Sequence, residues 1–207
     1  MELELMQLDH RVIYQIVESG AKVLDLGCGD GNLMFVLAKG KGVKAQGIEL
    51  NEKSIYACVQ KGLSVFHGDI EGGLLEYPDQ SFDYVILNQS LQETKKVDFV
   101  LKEALRVGKR VIVGFPNFAY RKARFDLFFR GRAPTTPSLP YRWHDTPNVH
   151  FLSIKDFLRY CRQLGTRIVS AHYLGKGNTL KFWPNLRALN AIFVLTKNRC
   201  AGDRQEI

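Results

Sequence analysis

Three glycines at alternate positions, Gly27, Gly29 and Gly31, end the run VLDLGCGDG, and a carboxylate, Glu49, follows eighteen positions after the last of them. Glycine lets a backbone turn sharply beside a ligand. A carboxylate offers two acceptor oxygens, the right equipment for the diol of a ribose. Together they can cradle a nucleoside-containing cofactor. A dinucleotide fingerprint would need glycines at 27, 29 and 32, with the pyrophosphate on a helix N-terminus. Position 32 is Asn32, so that fingerprint fails. Asp25 stands two residues before the first glycine, where it can accept hydrogen bonds within the loop or hold a cationic amino acid moiety. The pattern points to S-adenosylmethionine rather than NAD.

The elements that must position these groups follow from periodicity. An apolar run over 22–26 predicts a buried parallel strand, and residues 32–39 the helix after it. Residues 46–50 predict a second strand carrying Glu49, 54–61 a helix stopped by Gly62, and 64–67 a third strand. Asp69 then falls at a strand's carboxyl end, the edge where open parallel sheets bind ligands. It can accept from an adenine amino group while Ile70 packs on the ring, or simply cap a turn. A fourth strand over 82–87 exits into Asn88, Gln89 and Ser90, and Asn88 and Gln92 could position the methionine end and an acceptor, or start a helix. Leu8, Val12, Ile13, Ile16 and Val17 predict an opening amphipathic helix read as scaffold. A helix over 97–107, a strand over 110–115, a helix over 154–164 with Ser153 and Asp156 as a capping box, and strands over 166–173 and 191–197 complete the pattern.

Between them, residues 118–150 break the alternation. Residues 118–132 mix Phe125, Phe128 and Phe129 with Arg121, Lys122, Arg124, Arg130 and Arg132, a candidate cationic amphipathic helix. It could be a lid, a protein-docking surface or a nucleic-acid contact. Pro134, Pro137, Pro140 and Pro147 make the continuation an insertion loop. Within it His144 and His150 are the candidate proton carriers, should a base be needed. Tyr141 and Asp145 could orient an acceptor, and Trp143 could anchor the loop.

The 207 residues can bury one sizeable core. Charge is uneven: residues 1–100 carry 9 basic and 15 acidic side chains, and 101–207 carry 20 and 6. The basic half favours anionic partners or forms a solvated face. No run of about 18 apolar residues offers a membrane span. The first twenty residues lack a signal pattern, so the expected location is the cytoplasm. Cys28, Cys58, Cys161 and Cys200 include no C-x-x-C pair, which disfavours a metal site and a disulfide framework.

VLDLGCGDG with Glu49 and Asp69 resembles the cofactor half of class I S-adenosylmethionine-dependent methyltransferases. FDYVILNQSLQET, VIVGFPNF and RGRAPTTPSLPYRWHDTPNVHFLS further resemble the methionine biosynthesis protein MetW family, over about residues 9–175. The resemblance implies an α/β, Rossmann-like class I methyltransferase fold. Its sheet would be mostly parallel and seven-stranded, with an antiparallel final strand, flanked by helices. One domain would span 1–198, with the basic, Pro-rich insertion at about 118–150 and a flexible tail at 199–207. It implies S-adenosylmethionine or S-adenosylhomocysteine at Asp25, Gly27, Gly29, Glu49, Asp69 and Asn88, with no secure catalytic residue. It also implies homoserine O-acyltransferase, of acetyl or succinyl type, as partner. The alternative is an active methyltransferase on a small-molecule acceptor. Nucleic acid is disfavoured, because no recognised nucleic-acid module accompanies the basic segment and the fourth strand exits as NQSL rather than as an N-P-P-Y type loop.

Overall fold

The computed structural model describes residues 6–198. The chain alternates α1 (Leu8–Ile16), β1 (Lys22–Leu26), α2 (Asn32–Lys41), β2 (Lys44–Glu49), α3 (Glu52–Gln60), β3 (Ser64–His67), β4 (Phe82–Asn88), α4 (Val97–Val107) and β5 (Gly108–Pro116). Then come α5 (Arg121–Arg130), α6 (Ile154–Gln163), β6 (Arg167–Leu174), β7 (Thr179–Leu180), α7 (Pro184–Arg187) and β8 (Asn190–Thr196). One sheet holds all the strands in the order β3-β2-β1-β4-β5-β8-β6-β7. β1 to β5 pair in parallel, and β8 runs antiparallel between β5 and β6.

The sheet has eight strands where the sequence predicts seven. The extra one, β7, is a two-residue strand on the outer edge of β6, inside a stretch whose glycines and lysines carry no strand pattern. The last two long strands, β6 and β8, pair with each other, from Arg167 opposite Thr196 to Leu174 opposite Asn190. The expected tail at 199–207, including Cys200, lies outside the described residues.

Alternation along the strands builds two cores, one on each face. Leu24, Leu26, Val85, Leu87, Val111 and Val113 meet Leu101, Ala104 and Leu105 of α4 and Phe157 of α6. On the opposite face Val23, Tyr84, Ile86 and Ile112 meet Val12 and Ile13 of α1 and Leu33 and Leu37 of α2. Phe115, Phe157 and Phe193 pack with ring centroids 4.9 to 5.9 Å apart, anchoring β5 and β8 to α6. The capping box that starts α6 is formed, with Ser153 N–H on Asp156 Oδ2 at 3.0 Å and Asp156 N–H on Ser153 Oγ at 3.2 Å.

After β1 the chain turns to β2 and β3; after β3 it crosses back to β4 on the other side of β1. Connections diverging from neighbouring strands leave a crevice at their carboxyl ends. The glycine loop and the exit of β4 therefore share one crevice.

Asn117, fully buried just after β5, fastens the insertion to this frame. Its Nδ2 donates to the carbonyls of Ala188 (2.9 Å) and Asn185 (3.2 Å), and its Oδ1 accepts from Ala119 N–H (3.2 Å) and Ile154 N–H (3.4 Å). One amide thus ties together α7 and the starts of α5 and α6.

Candidate functional site: an acidic crevice at the carboxyl edge

The glycine loop holds its shape through left-handed backbone and close packing. Gly27 has φ 75°, and a Cβ there would lie 2.8 Å from Ser90 Cβ, so the exits of β1 and β4 touch only because no side chain intervenes. Gly29 has φ 55° and open space where a Cβ would stand, leaving its backbone bare on the crevice side. Its N–H donates to Glu49 Oε2 at 2.8 Å, while Glu49 Oε1 accepts the N–H groups of Leu50 and Asn51, each at 2.9 Å. Behind the loop Cys58 Sγ meets Gly29 O at 3.2 Å, and Lys61 Nζ donates to Asn32 Oδ1 at 2.8 Å.

The loop borders a crevice of about 830 Å³. Asp25, Gly27, Gly29, Glu49, Asp69 and Asn88, separated by up to 63 positions in sequence, all line it. Asp69 Oδ1 caps the turn at Ile70–Gly72, accepting Glu71 N–H at 2.8 Å, and Ile70 lies alongside. Asn88 Nδ2 donates to Asp9 Oδ2 at 2.9 Å, so α1, read from sequence as scaffold, delivers a carboxylate to the site. Glu71 and Glu93 line it too, as does Asp30. Sequence reasoning missed Asp9, Glu71 and Glu93. An acidic residue in the first turn of a helix is ordinary helix-start chemistry, and nothing in the sequence pairs position 9 with 88.

The crevice is acidic: seven carboxylates line it, of which Asp30 is paired with Lys61 Nζ at 3.5 Å from behind the loop, and among the described residues neither lysine nor arginine is in the lining itself. The consequence falls on Asp25, which is 3 % exposed. Burial first and the Glu49 charge second push its carboxyl up to about 7. Burial and Glu49 raise Glu93 as well. At the β4 exit Gln89 takes a left-handed φ of 61°, and the buried Ser90 hydroxyl has no hydrogen-bond partner among the described residues. Strain and an unpaired polar group at one rim are typical of a site awaiting a ligand.

The insertion reaches the crevice through Tyr141 and Pro147. It is fixed by the Gln92 carbonyl, which accepts Val149 N–H at 2.9 Å and His150 N–H at 3.0 Å. The structure does not bring His144 and His150 to the crevice. His150 lines a separate cavity of about 620 Å³ between α4 and α6, where this strap of the insertion continues past its pairing with Gln92. His144 packs edge-on against Trp143, and neither borders the glycine loop. Trp143 is 78 % exposed, so it is not the loop anchor expected of it; buried Leu139 and Thr136, hydrogen-bonded to each other, hold that segment instead. The predicted amphipathic helix also comes out differently. α5 is shorter, and it buries Ala123 and Asp126 while its aromatic residues face solvent.

A family model described as methionine biosynthesis protein MetW matches residues 7–195. The chain belongs to the MetW family. A relative from Rhodopirellula baltica, described as the bifunctional methionine biosynthesis protein MetXA/MetW, is 36% identical over 172 residues, 79% of this chain and 28% of that protein. The chain therefore spans little more than a quarter of that relative's length. A demethylmenaquinone methyltransferase from Bacillus subtilis is 29% identical, with 75% of each chain covered. Among solved structures, a SAM-dependent methyltransferase from Archaeoglobus fulgidus superposes with a TM-score of 0.71 over 95% of both chains at 17% identity. That likeness establishes the Rossmann-like methyltransferase fold of this MetW chain, and a fold leaves the reaction open.

Proposed function

We propose that the chain binds S-adenosylmethionine, or S-adenosylhomocysteine, in the acidic crevice and supports homoserine O-acyltransferase in methionine biosynthesis, as one domain over 1–198 acting in the cytoplasm. The observation that carries the cofactor reading is charge. Seven carboxylates, only Asp30 of them paired with a lysine among the described residues, suit a ligand bearing a sulfonium and an ammonium, and oppose a dinucleotide's pyrophosphate. When bound, S-adenosylmethionine supplies an activated methyl group on a cationic sulfur.

In this reading Gly27 and Gly29 let the backbone run beside the ligand. A carboxylate has about four acceptor sites, and the three backbone donors on Glu49 leave room for a ribose hydroxyl. Asp69 keeps Oδ2 for the adenine amine beside Ile70. Asp25 faces the cationic end, and Asn88 holds Asp9 in place there. The partner reading is supported by family membership and by the relative whose description joins MetXA and MetW in one chain. A pathway's end-product derivative read by a partner of its entry step has regulatory logic, since a ligand that prefers one conformation shifts the complex.

The test is the acyltransferase of the same organism, of acetyl or succinyl type, assayed with and without equimolar protein and with and without S-adenosylmethionine. A gain in activity with co-elution is expected. No gain and no complex would remove the partner role.

The second reading, methyl transfer to a small acceptor, draws on Tyr141 and Pro147, which give the crevice a wall beyond the cofactor loop. The acidic lining makes that acceptor neutral or cationic. Labelled methyl transfer into neutral and cationic metabolites tests it, and its absence with cofactor bound would count against it.

A further inference from the structure

α5 is built inside out. Asp126, the residue it buries alongside Ala123, accepts Lys122 Nζ at 3.0 Å and Arg130 Nη1 at 3.1 Å, one turn away on either side. Arg124 Nε donates to Ala119 O at 2.7 Å, Lys122 Nζ to Thr135 O at 2.6 Å, and Arg132 N–H to Asp126 O at 3.2 Å. The helix is thereby fixed at both ends. On its outer face Phe125, Phe128 and Phe129 are 47, 82 and 69 % exposed. Their rings pack on one another at 4.8 and 4.9 Å, and the Arg130 guanidinium lies 5.4 Å from the Phe125 ring. The two ion pairs favour the Asp126 carboxylate, holding its pKa below the usual range, but three aromatic rings left largely in water add little burial to the fold of this chain.

We propose that the outer face of α5 is the docking surface for homoserine O-acyltransferase, with the phenylalanine cluster entering an apolar recess and Arg121 meeting an acidic rim on that enzyme. The proposal rests on the partnership argued above and adds where the partner sits. Preformed aromatic clusters with arginine at their edge are the chemistry of interface hot spots. The charge fits one class of rim, since the half of the chain containing α5 carries 20 basic and 6 acidic residues. The connection to the crevice is covalent and short. The strap leaving α5 lines the crevice with Tyr141 and Pro147, then pairs with the Gln92 carbonyl two residues past Ser90. A partner on α5 is therefore joined to the crevice by a short segment, and any effect of one site on affinity at the other would have to be mutual.

The experiment measures binding of the purified acyltransferase to the full chain by calorimetry, for wild type, Phe128→Glu and Arg121→Glu, with Val59→Glu on α3 as an exposed apolar control. Cofactor binding and Tm establish that each variant is folded. Expected are a loss of about 30-fold or more for Phe128→Glu, the scale of a hot-spot residue, a weaker loss with reduced salt dependence for Arg121→Glu, and none for Val59→Glu. Wild type that fails to bind overturns the partnership and this surface with it. Wild type that binds while Phe128→Glu binds within threefold overturns the surface and leaves the partnership standing. Two further results overturn it: Phe128→Glu releasing the protein from phosphatidylglycerol vesicles, or converting a self-associated form to monomer, with acyltransferase binding unchanged. Should Phe128→Glu fail to fold, Arg121→Glu decides on the same readout.

Discussion

At the crevice between β1 and β4, carboxylates converge with no lysine or arginine in the lining among the described residues; on α5, aromatic rings stand in solvent around a carboxylate that is enclosed. In the crevice burial works against the charge of Asp25 and Glu93, whereas on α5 two cations support the carboxylate and the rings are what is left in water. In the readings proposed above, the first suits a small cationic ligand and the second a partner surface with acidic and apolar character. The division follows the chain, acidic to residue 100 and basic after it. The net charge of +8 thus hides two surfaces of opposite sign.

The largest way to break the comparison is Gly27→Ala. A Cβ at φ 75° costs about 1–2 kcal/mol, and overpacking Ser90 at 2.8 Å about 1–3 kcal/mol more. S-adenosylmethionine affinity should fall by at least tenfold in calorimetry, with a lower Tm, while α5 keeps its fold. Asn117→Ala strikes the other region. It leaves two carbonyls and two N–H groups without their amide partner, at about 1–3 kcal/mol for buried groups so stranded. Hydrogen exchange should accelerate at α5, α7 and the start of α6, with the glycine loop still protected.

The two regions differ in how far they could be read from sequence. Asp25, Gly27, Gly29, Glu49, Asp69 and Asn88 sit at or near strand ends, which converge by topology in a parallel sheet; periodicity marks the strands, and the resemblance to class I methyltransferases implies the six as one set. Asp9 and Glu93 reach the crevice from a helix and a turn whose direction depends on packing, and no spacing rule encodes that. In α5 the alternation of phenylalanine and arginine reads as an amphipathic face. Its orientation is set instead by the small Ala123 and by Asp126 between two cations, so the rings point away from the core. His144 and His150 were plausible only while the path of the strap was unknown. Its pairing with Gln92 is a tertiary fact. β7, two residues long, is below what any sequence pattern can mark.

Proton linkage sharpens the electrostatic half of the comparison. Burial and the Glu49 charge push the Asp25 carboxyl up to about 7, and a cationic ligand beside it would favour its ionised form. Below that pH binding must expel a proton, which costs about 1.4 kcal/mol per pH unit. S-adenosylmethionine affinity should therefore rise up to tenfold per unit between pH 5 and 7 and level off above. Asp25→Asn should flatten the profile. The same raised pKa should make the protein without added ligand lose stability as pH climbs from about 4, the unfolded value, to 7. Added ligand should restore it, as a Tm shift that grows with pH.

The smallest expected effect is the most discriminating for α5. Phe128 is 82 % exposed and touches Phe129 edge-on at 4.8 Å, so its ring contributes at most about 0.5–1.5 kcal/mol of aromatic contact and little burial. Phe128→Ala should shift Tm by no more than a few degrees and leave cofactor affinity unchanged. A buried phenylalanine such as Phe193 should lose about 3–5 kcal/mol on the same truncation. If Phe128→Ala instead destabilised the protein as Phe193→Ala does, the ring would be serving the fold of this chain. The contrast between a crevice that buries charge for a ligand and a helix that exposes rings for a partner would then lose its second half.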